Sequence, residues 1–125
     1  MAVSGGKAIS VDTTKPEYYY QRGLALYSQE KFKDASEDFK KAIDINPNYS
    51  DAYLYRAYCS EGLNNPKDAI YNYKEVIRIK PDDGLAYYKR GLVKRDLKDK
   101  TCCTDFKKAV SLGYEDAAND ADGCK

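Results

Sequence analysis

Apolar side chains recur at helical intervals through most of the chain, in blocks broken by short polar or proline-containing stretches. Tyr19, Gly23 and Leu26 fall at i, i+4 and i+7, the spacing of one helix face. Pro16 opens that block, and proline suits a first helical position because the N–H it lacks has no partner there. The spacing predicts a helix over residues 16–29. After the polar pair Glu30 and Lys31, a second helix is expected over 32–45, with Ala35, Phe39, Ala42 and Ile43 on one stripe. Asn46 and Pro47 end it, since the residue before a proline is pushed out of helical geometry. The same alternation predicts helices over 50–62 and 66–79, the latter closed by Lys80 and Pro81. Further helices follow at 84–97 and 100–112, with a short last one at about 115–121.

These blocks repeat. Tyr19, Arg22 and Gly23 recur as Tyr53, Arg56 and Ala57 and again as Tyr87, Arg90 and Gly91, a constant step of 34 in residue number. In the second half of the unit, Ala35, Phe39, Ala42 and Pro47 are matched by Ala69, Tyr73, Val76 and Pro81 at the same step. Packing explains the recurrent alternation of sizes. Gly23, Ala57 and Gly91 let a partner helix approach their backbone, and Ala35 and Ala69 do the same from the other side. Tyr19, Tyr53 and Tyr87 supply rings beside the small positions. Phe39, Tyr73 and Phe106 are expected to fill the space against the neighbouring unit, each burying about 2 kcal/mol of apolar surface.

The pattern resembles the tetratricopeptide repeat, a helix-turn-helix unit of this period. The resemblance implies an all-α, right-handed α-solenoid of three units, 16–49, 50–83 and 84–114, plus a capping helix at 115–122. Residues 1–15 read as a polar, glycine-containing flexible leader. Departures are informative. Ala57 replaces the glycine of unit two and Ser60 an apolar residue. In unit three the interval from Gly91 to Phe106 is one shorter than that from Gly23 to Phe39, so its turn is expected to have lost a residue. Gly113 stands where a terminal proline is expected, and the following polar segment reads as a cap that ends the array.

By the same resemblance, the first helices line a concave groove with the second, fifth, ninth, twelfth and thirteenth positions of each unit. This names Glu17, Tyr20, Leu24, Tyr27 and Ser28; Asp51, Leu54, Tyr58, Glu61 and Gly62; and Leu85, Tyr88, Leu92, Arg95 and Asp96, with Lys89 beside them. Tyr20, Leu24, Tyr27, Leu54, Tyr58, Tyr88 and Leu92 would form an aromatic and aliphatic strip, suited to holding a ligand and equally open to packing on neighbours. The family's carboxylate clamp is not reproduced. Tyr20 and Leu85 sit where lysines are expected, and Leu24 and Tyr55 where asparagines are; Lys89 alone keeps a suitable charge. Acidic Glu17 and Asp51 at one end, with Lys89 and Arg95 at the other, suit a peptide of mixed charge.

Composition narrows the classes. The 21 basic and 20 acidic residues nearly cancel, leaving no field to attract nucleic acid, and the chain has no histidine for proton transfer or metal binding. The acidic pairs Glu37 with Asp38 and Asp82 with Asp83 are expected on solvent faces or turns. No apolar run reaches the ~20 residues that cross a bilayer. Four cysteines lack paired metal-ligand spacing. Cys59 is expected to be a buried small residue, whereas Cys124 could form a disulfide with Cys102 or Cys103. Such a bond would imply an oxidising compartment; free thiols would fit the cytosol. The expectation is a protein-interaction module, without catalysis, cofactor or metal, that binds a protein or peptide as a monomer or weak homo-oligomer. The alternative is a self-assembling repeat protein that pairs through its groove or an end face.

Overall fold

The apolar stripes become seven helices among residues 12–124, which the computed structural model describes. They are α1 (Pro16–Ser28), α2 (Phe32–Ile45), α3 (Ser50–Gly62), α4 (Pro66–Ile79), α5 (Gly84–Asp96), α6 (Cys102–Ser111) and, after a 3-10 turn at Glu115–Ala117, α7 (Ala118–Asp122). Most of the expected leader lies outside the described residues. Its end, 12–15, forms a turn in which the Asp12 carboxylate accepts the Thr14 backbone N–H at 2.9 Å. No described helix is long and apolar enough to cross a membrane.

Each helix packs on the next in sequence, both within pairs (α1 on α2, α3 on α4, α5 on α6) and between them (α2 on α3, α4 on α5). The pairs close because a ring on one helix lies under a glycine on the other. A Cβ built on Gly23 would stand 2.7 Å from the Phe39 ring, and one on Gly91 would stand 2.7 Å from Phe106. The Phe39 and Phe106 rings thus lie beneath their own unit's glycine, and Phe39 and Tyr73 also share buried clusters with residues of the next unit, Ala52 and Tyr53 for the one and Val93 for the other. Phe39 also approaches Tyr55 of the next unit, centroid to centroid 6.0 Å. Phe39, Tyr73 and Phe106 are buried in successive units, with Ala35, Ala42, Ala52, Ala69 and Ala86 filling between them.

The turns inside the three pairs share one device. Glu30, Asn64 and Lys98 occupy the same position of successive units and adopt φ of 61°, 56° and 60°, the left-handed conformation that reverses the chain. In unit three the missing residue falls after Lys98. There α6 starts at Cys102, four places beyond the left-handed position, where α2 and α4 start two places beyond it. Asp99 takes up the slack, accepting the Thr101 N–H at 2.9 Å and its hydroxyl at 2.7 Å. At the far end of α6, Gly113 (φ 91°) turns the chain without proline, and the Tyr114 N–H returns to the Ala109 carbonyl at 3.0 Å.

One charge expectation is overturned. Asp38 is only 4% exposed and accepts from Arg22 Nε and Nη2 at 2.7 and 2.8 Å. Asp105 repeats the arrangement, accepting from Arg90 at 2.9 and 2.8 Å, with Lys94 at 3.3 Å. A forked guanidinium satisfies both carboxylate oxygens, which lets the charge sit below the surface. Asp83, by contrast, caps α5 by accepting the Ala86 N–H at 3.2 Å.

The cysteines resolve into two kinds. Cys103 and Cys124 are disulfide-bonded across 21 residues, with Cα atoms 5.6 Å apart, while Cys59 and Cys102 are buried free thiols. Of the two candidates for Cys124, Cys102 takes the small position facing the core. Cys103, about 100° further round α6, faces the returning tail.

Candidate functional site

α1 and α3, the first helices of units one and two, touch each other directly. What joins them there is an aromatic cluster. Tyr55 stands edge-on to both Tyr27 (5.5 Å) and Tyr58 (5.3 Å), which are themselves 6.3 Å apart. Such T-shaped pairs direct ring edges at ring faces and fix the rings relative to one another. Burial, then the neighbouring Tyr55, Tyr27 and Glu61, push the Tyr58 phenol up to about 12, and burial raises Tyr27 as well. These hydroxyls stay protonated at neutral pH and serve as hydrogen-bonding groups.

The cluster borders a hollow of about 390 Å³ lined by Tyr27, Tyr58, Glu61 and Lys89. Glu61 is exposed and accepts the hydroxyl proton of buried Tyr73. Lys89 comes from α5 and places its ammonium 5.7 Å from the centre of the Tyr58 ring, a cation–π contact. Glu61 and Lys89 share this hollow without forming an ion pair with each other. An acid and a base therefore face a common space bounded by tyrosine.

The other expected groove residues are placed differently. Tyr20 is wedged between units, 5.0 Å from Tyr49, 5.9 Å from Phe39 and 6.1 Å from Tyr55. Burial pushes its phenol up to about 12, with Asp51 adding to the effect. Leu24 and Leu54 are partly buried against the core, and Leu92 is half-buried. Glu17 is exposed in the first turn of α1. Tyr88 repeats the setting of Tyr20, 5.9 Å from Phe106 and 5.3 Å from Tyr114. Arg95 lies over the Phe106 ring at 5.4 Å and pairs with Asp120 of α7. The strip thus divides into an open centre at Tyr27, Tyr58, Glu61 and Lys89 and two ends where rings pack between units. Tyr55, Tyr49 and Tyr114 were not among the expected groove residues. Tyr49 and Tyr114 lie outside the α-helices, where helical periodicity gives no signal. Tyr55 sits next to a wall position on its helix.

No group of three or more acidic, cysteine or histidine side chains is placed to hold a metal among the described residues.

Residues 16–49 match a family model described as tetratricopeptide repeat. Residues 39–71 match a second model of that description, which starts inside α2 rather than at a unit boundary. A comparison with curated proteins returns no match. Among solved structures, the crystal structure of MamA superposes with a TM-score of 0.80 at 30% identity, over 86% of this chain and 63% of that one. This chain therefore spans less than two thirds of that protein's length. The first TPR of Spaghetti (RPAP3), bound to an HSP90 peptide, gives 0.80 at 20% identity over 94% of this chain and 95% of that one. The Arabidopsis OM64 TPR domain gives 0.76 at 23% identity over 85% and 89%. At those identities the last two likenesses speak to the fold alone. The period shared by the three units and the ring-under-glycine packing agree with the matches over residues 16–71: the chain carries tetratricopeptide repeats.

Proposed function

We propose that this protein is a peptide-binding scaffold or adaptor whose first helices, α1, α3 and α5, hold a segment of a partner protein. The observation that supports this reading best is the hollow at Tyr27, Tyr58, Glu61 and Lys89, where opposite charges stand unpaired beside fixed aromatic rings. A bound segment of mixed charge answers both, its cationic side chain approaching Glu61 and its carboxylate approaching Lys89, while its apolar parts lie on tyrosine. Tyrosine supports such binding because two torsions fix a large ring, so little side-chain entropy is lost on contact. RPAP3's first TPR, with its HSP90 peptide, shows that a fold of this shape holds a peptide.

A displayed random-peptide library tests the reading. Enriched peptides should bind the wild type in calorimetry and lose about tenfold or more in affinity to Glu61→Lys and to Lys89→Glu, since each reversal sets like charges together. Circular dichroism should show unchanged helix in both variants. Enriched peptides that bind both variants as tightly as the wild type would place the binding surface elsewhere.

A further inference from the structure

Unit two differs from its neighbours at two positions that meet each other. Where units one and three bury Phe39 and Phe106, it buries Tyr73; where they carry Tyr27 and Arg95, it carries Glu61. Tyr73 is fully buried, yet its hydroxyl donates to Oε2 of Glu61, an exposed residue. A core phenol therefore holds one oxygen of a surface carboxylate and leaves Oε1 to accept from a ligand. No ion pair engages Glu61 or Asp96 among the described residues. Glu61 also stands between two hollows. One is the tyrosine-bounded space it shares with Lys89, and the other, of about 220 Å³, is bounded by Glu61, Asn65, Pro66, Val93, Asp96 and Leu97.

The second hollow selects a cation on an aliphatic stem. Its charged side chains are both acids, and both stand in the last turn of a helix, Glu61 in α3 and Asp96 in α5, where the helix dipole favours positive charge. Asn65 is occupied in capping α4, accepting the Asp68 N–H at 3.3 Å and donating to its carboxylate at 2.7 Å. Pro66, Val93 and Leu97, the last 45% exposed, supply apolar wall. Lysine and arginine lay their methylenes on such surface while the charged head stays polar and wet. An anion would meet two carboxylates, and an apolar side chain would answer neither. The volume exceeds the ~30 Å³ share of one water and falls below the ~300–1,000 Å³ of pockets for drug-sized ligands, so it suits one side chain. Tyr73 makes Glu61 a better receptor because a free glutamate must be ordered when it binds. A bond from a ring already locked in the core removes that cost beforehand.

We propose that Tyr73 is the positioning residue of a cation subsite, in which Glu61, held from the core, and Asp96 receive an arginine or lysine side chain of the partner segment. The source of that side chain, a segment held by the first helices, rests on the function proposed above. The segment then carries a basic residue close to an acidic one, the first for Glu61 and Asp96 and the second for Lys89.

Methyl NMR of Val93 and Leu97 in the whole chain tests it. The probes are N-acetyl-argininamide, N-acetyl-lysinamide and the neutral isostere N-acetyl-citrullinamide. The cations should shift both residues saturably and the citrulline amide should not; whichever cation saturates first names the side chain. Tyr73→Phe installs the residue that units one and three already use, and should weaken the cations about fivefold. Asp96→Asn should weaken them about tenfold without lowering the melting temperature, a split that a merely structural role would not give. Peptides enriched from the library should lose affinity when their basic residue becomes citrulline, and lose less in Tyr73→Phe; a packing defect would weaken charged and neutral peptides alike. Equal binding of the citrulline amide, no saturable shift with either cation, or cation binding undiminished in Tyr73→Phe would each overturn the proposal. Peptides that need Lys89 but ignore Tyr73→Phe would overturn it and leave the groove reading standing. Cations that bind as expected, with peptides indifferent to Glu61→Lys and Lys89→Glu, would overturn the groove reading and not the subsite.

Discussion

Replacing Gly91 by alanine pits helix propensity against packing, and the geometry decides which wins. Alanine favours the middle of a helix over glycine by about 1 kcal/mol. The added methyl, however, would lie 2.7 and 2.9 Å from the Phe106 ring and 3.2 Å from Asp105 Cβ. Carbon atoms need about 3.5–4.0 Å, so the ring must retreat by about 1 Å. Phe106 is 1% exposed and has no free space to retreat into. Overpacking of this kind costs about 1–3 kcal/mol, and any shift of Asp105 also loosens its grip on Arg90. The net expectation is a loss of about 1–2 kcal/mol, or about 4–8 °C in melting temperature for a domain of this size. Urea unfolding followed by circular dichroism measures it, in a cycle with Phe106→Leu. In the leucine background the methyl has room, so Gly91→Ala should become neutral or stabilising, giving a coupling of about 1 kcal/mol or more. Unit two supplies the natural precedent, where Ala57 occupies the same position and the ring opposite, Tyr73, is held at its hydroxyl by Glu61. A Gly91→Ala variant as stable as the wild type, or one equally destabilised in both backgrounds, would refute the argument.

Three further outcomes are expected. Cys124→Ser should cost about 3 kcal/mol at most, the loop-closure value for a separation of 21 residues, and should raise amide exchange over 115–124, whereas Cys102→Ser should leave that exchange unchanged; equal effects would point to the wrong pairing. Burial pushes Tyr20, Tyr58 and the Cys59 thiol up to about 12 in the folded chain, so the folded state holds these protons longer than the unfolded one; stability should be intact below about pH 9 and fall as pH rises towards 12, read from urea midpoints alongside tyrosinate absorbance. Lys98→Asn should stabilise by a few tenths to about 1 kcal/mol, because asparagine tolerates the left-handed conformation that Lys98 adopts and already occupies it at Asn64; a lower melting temperature would contradict this.

The period was legible because it is a packing requirement: a ring cannot lie under a helix unless that helix is small at the facing position, and Gly23, Ala57 and Gly91 meet this once in every unit. Helix ends followed from proline and asparagine by the same local logic. Side-chain destinations were harder. Helical angle directs Tyr20 and Tyr88 towards the groove, but a tyrosine is long enough to lean into the gap between units, where Tyr49 and Tyr114 receive them. Asp38 read as a surface charge because sequence gives its helix face but not the arginine that bridges to it from the partner helix. The recurrence of Arg22 and Arg90 opposite Asp38 and Asp105 carried that information, though only once the two helices were known to pair.

Ser60 was visible as a departure from the repeat, yet its consequence was not, because a small residue can be filled by neighbours or leave room. Asn72 decides between these outcomes. A substitution that merely eroded the ion pair would be expected to let the amide take over the carboxylate's contacts with arginine. Instead Asn72 turns to the Asp68 carbonyl and leaves both its own oxygen and most of the Arg56 guanidinium without partners. Ala57, Ser60 and Asn72 alter the middle unit while the packing that defines the fold is retained around Tyr73, which stays fully buried. The other two units solve the same contact with a carboxylate, so among the described residues the partnerless buried acceptor belongs to the middle unit, where the helix packing itself is unchanged.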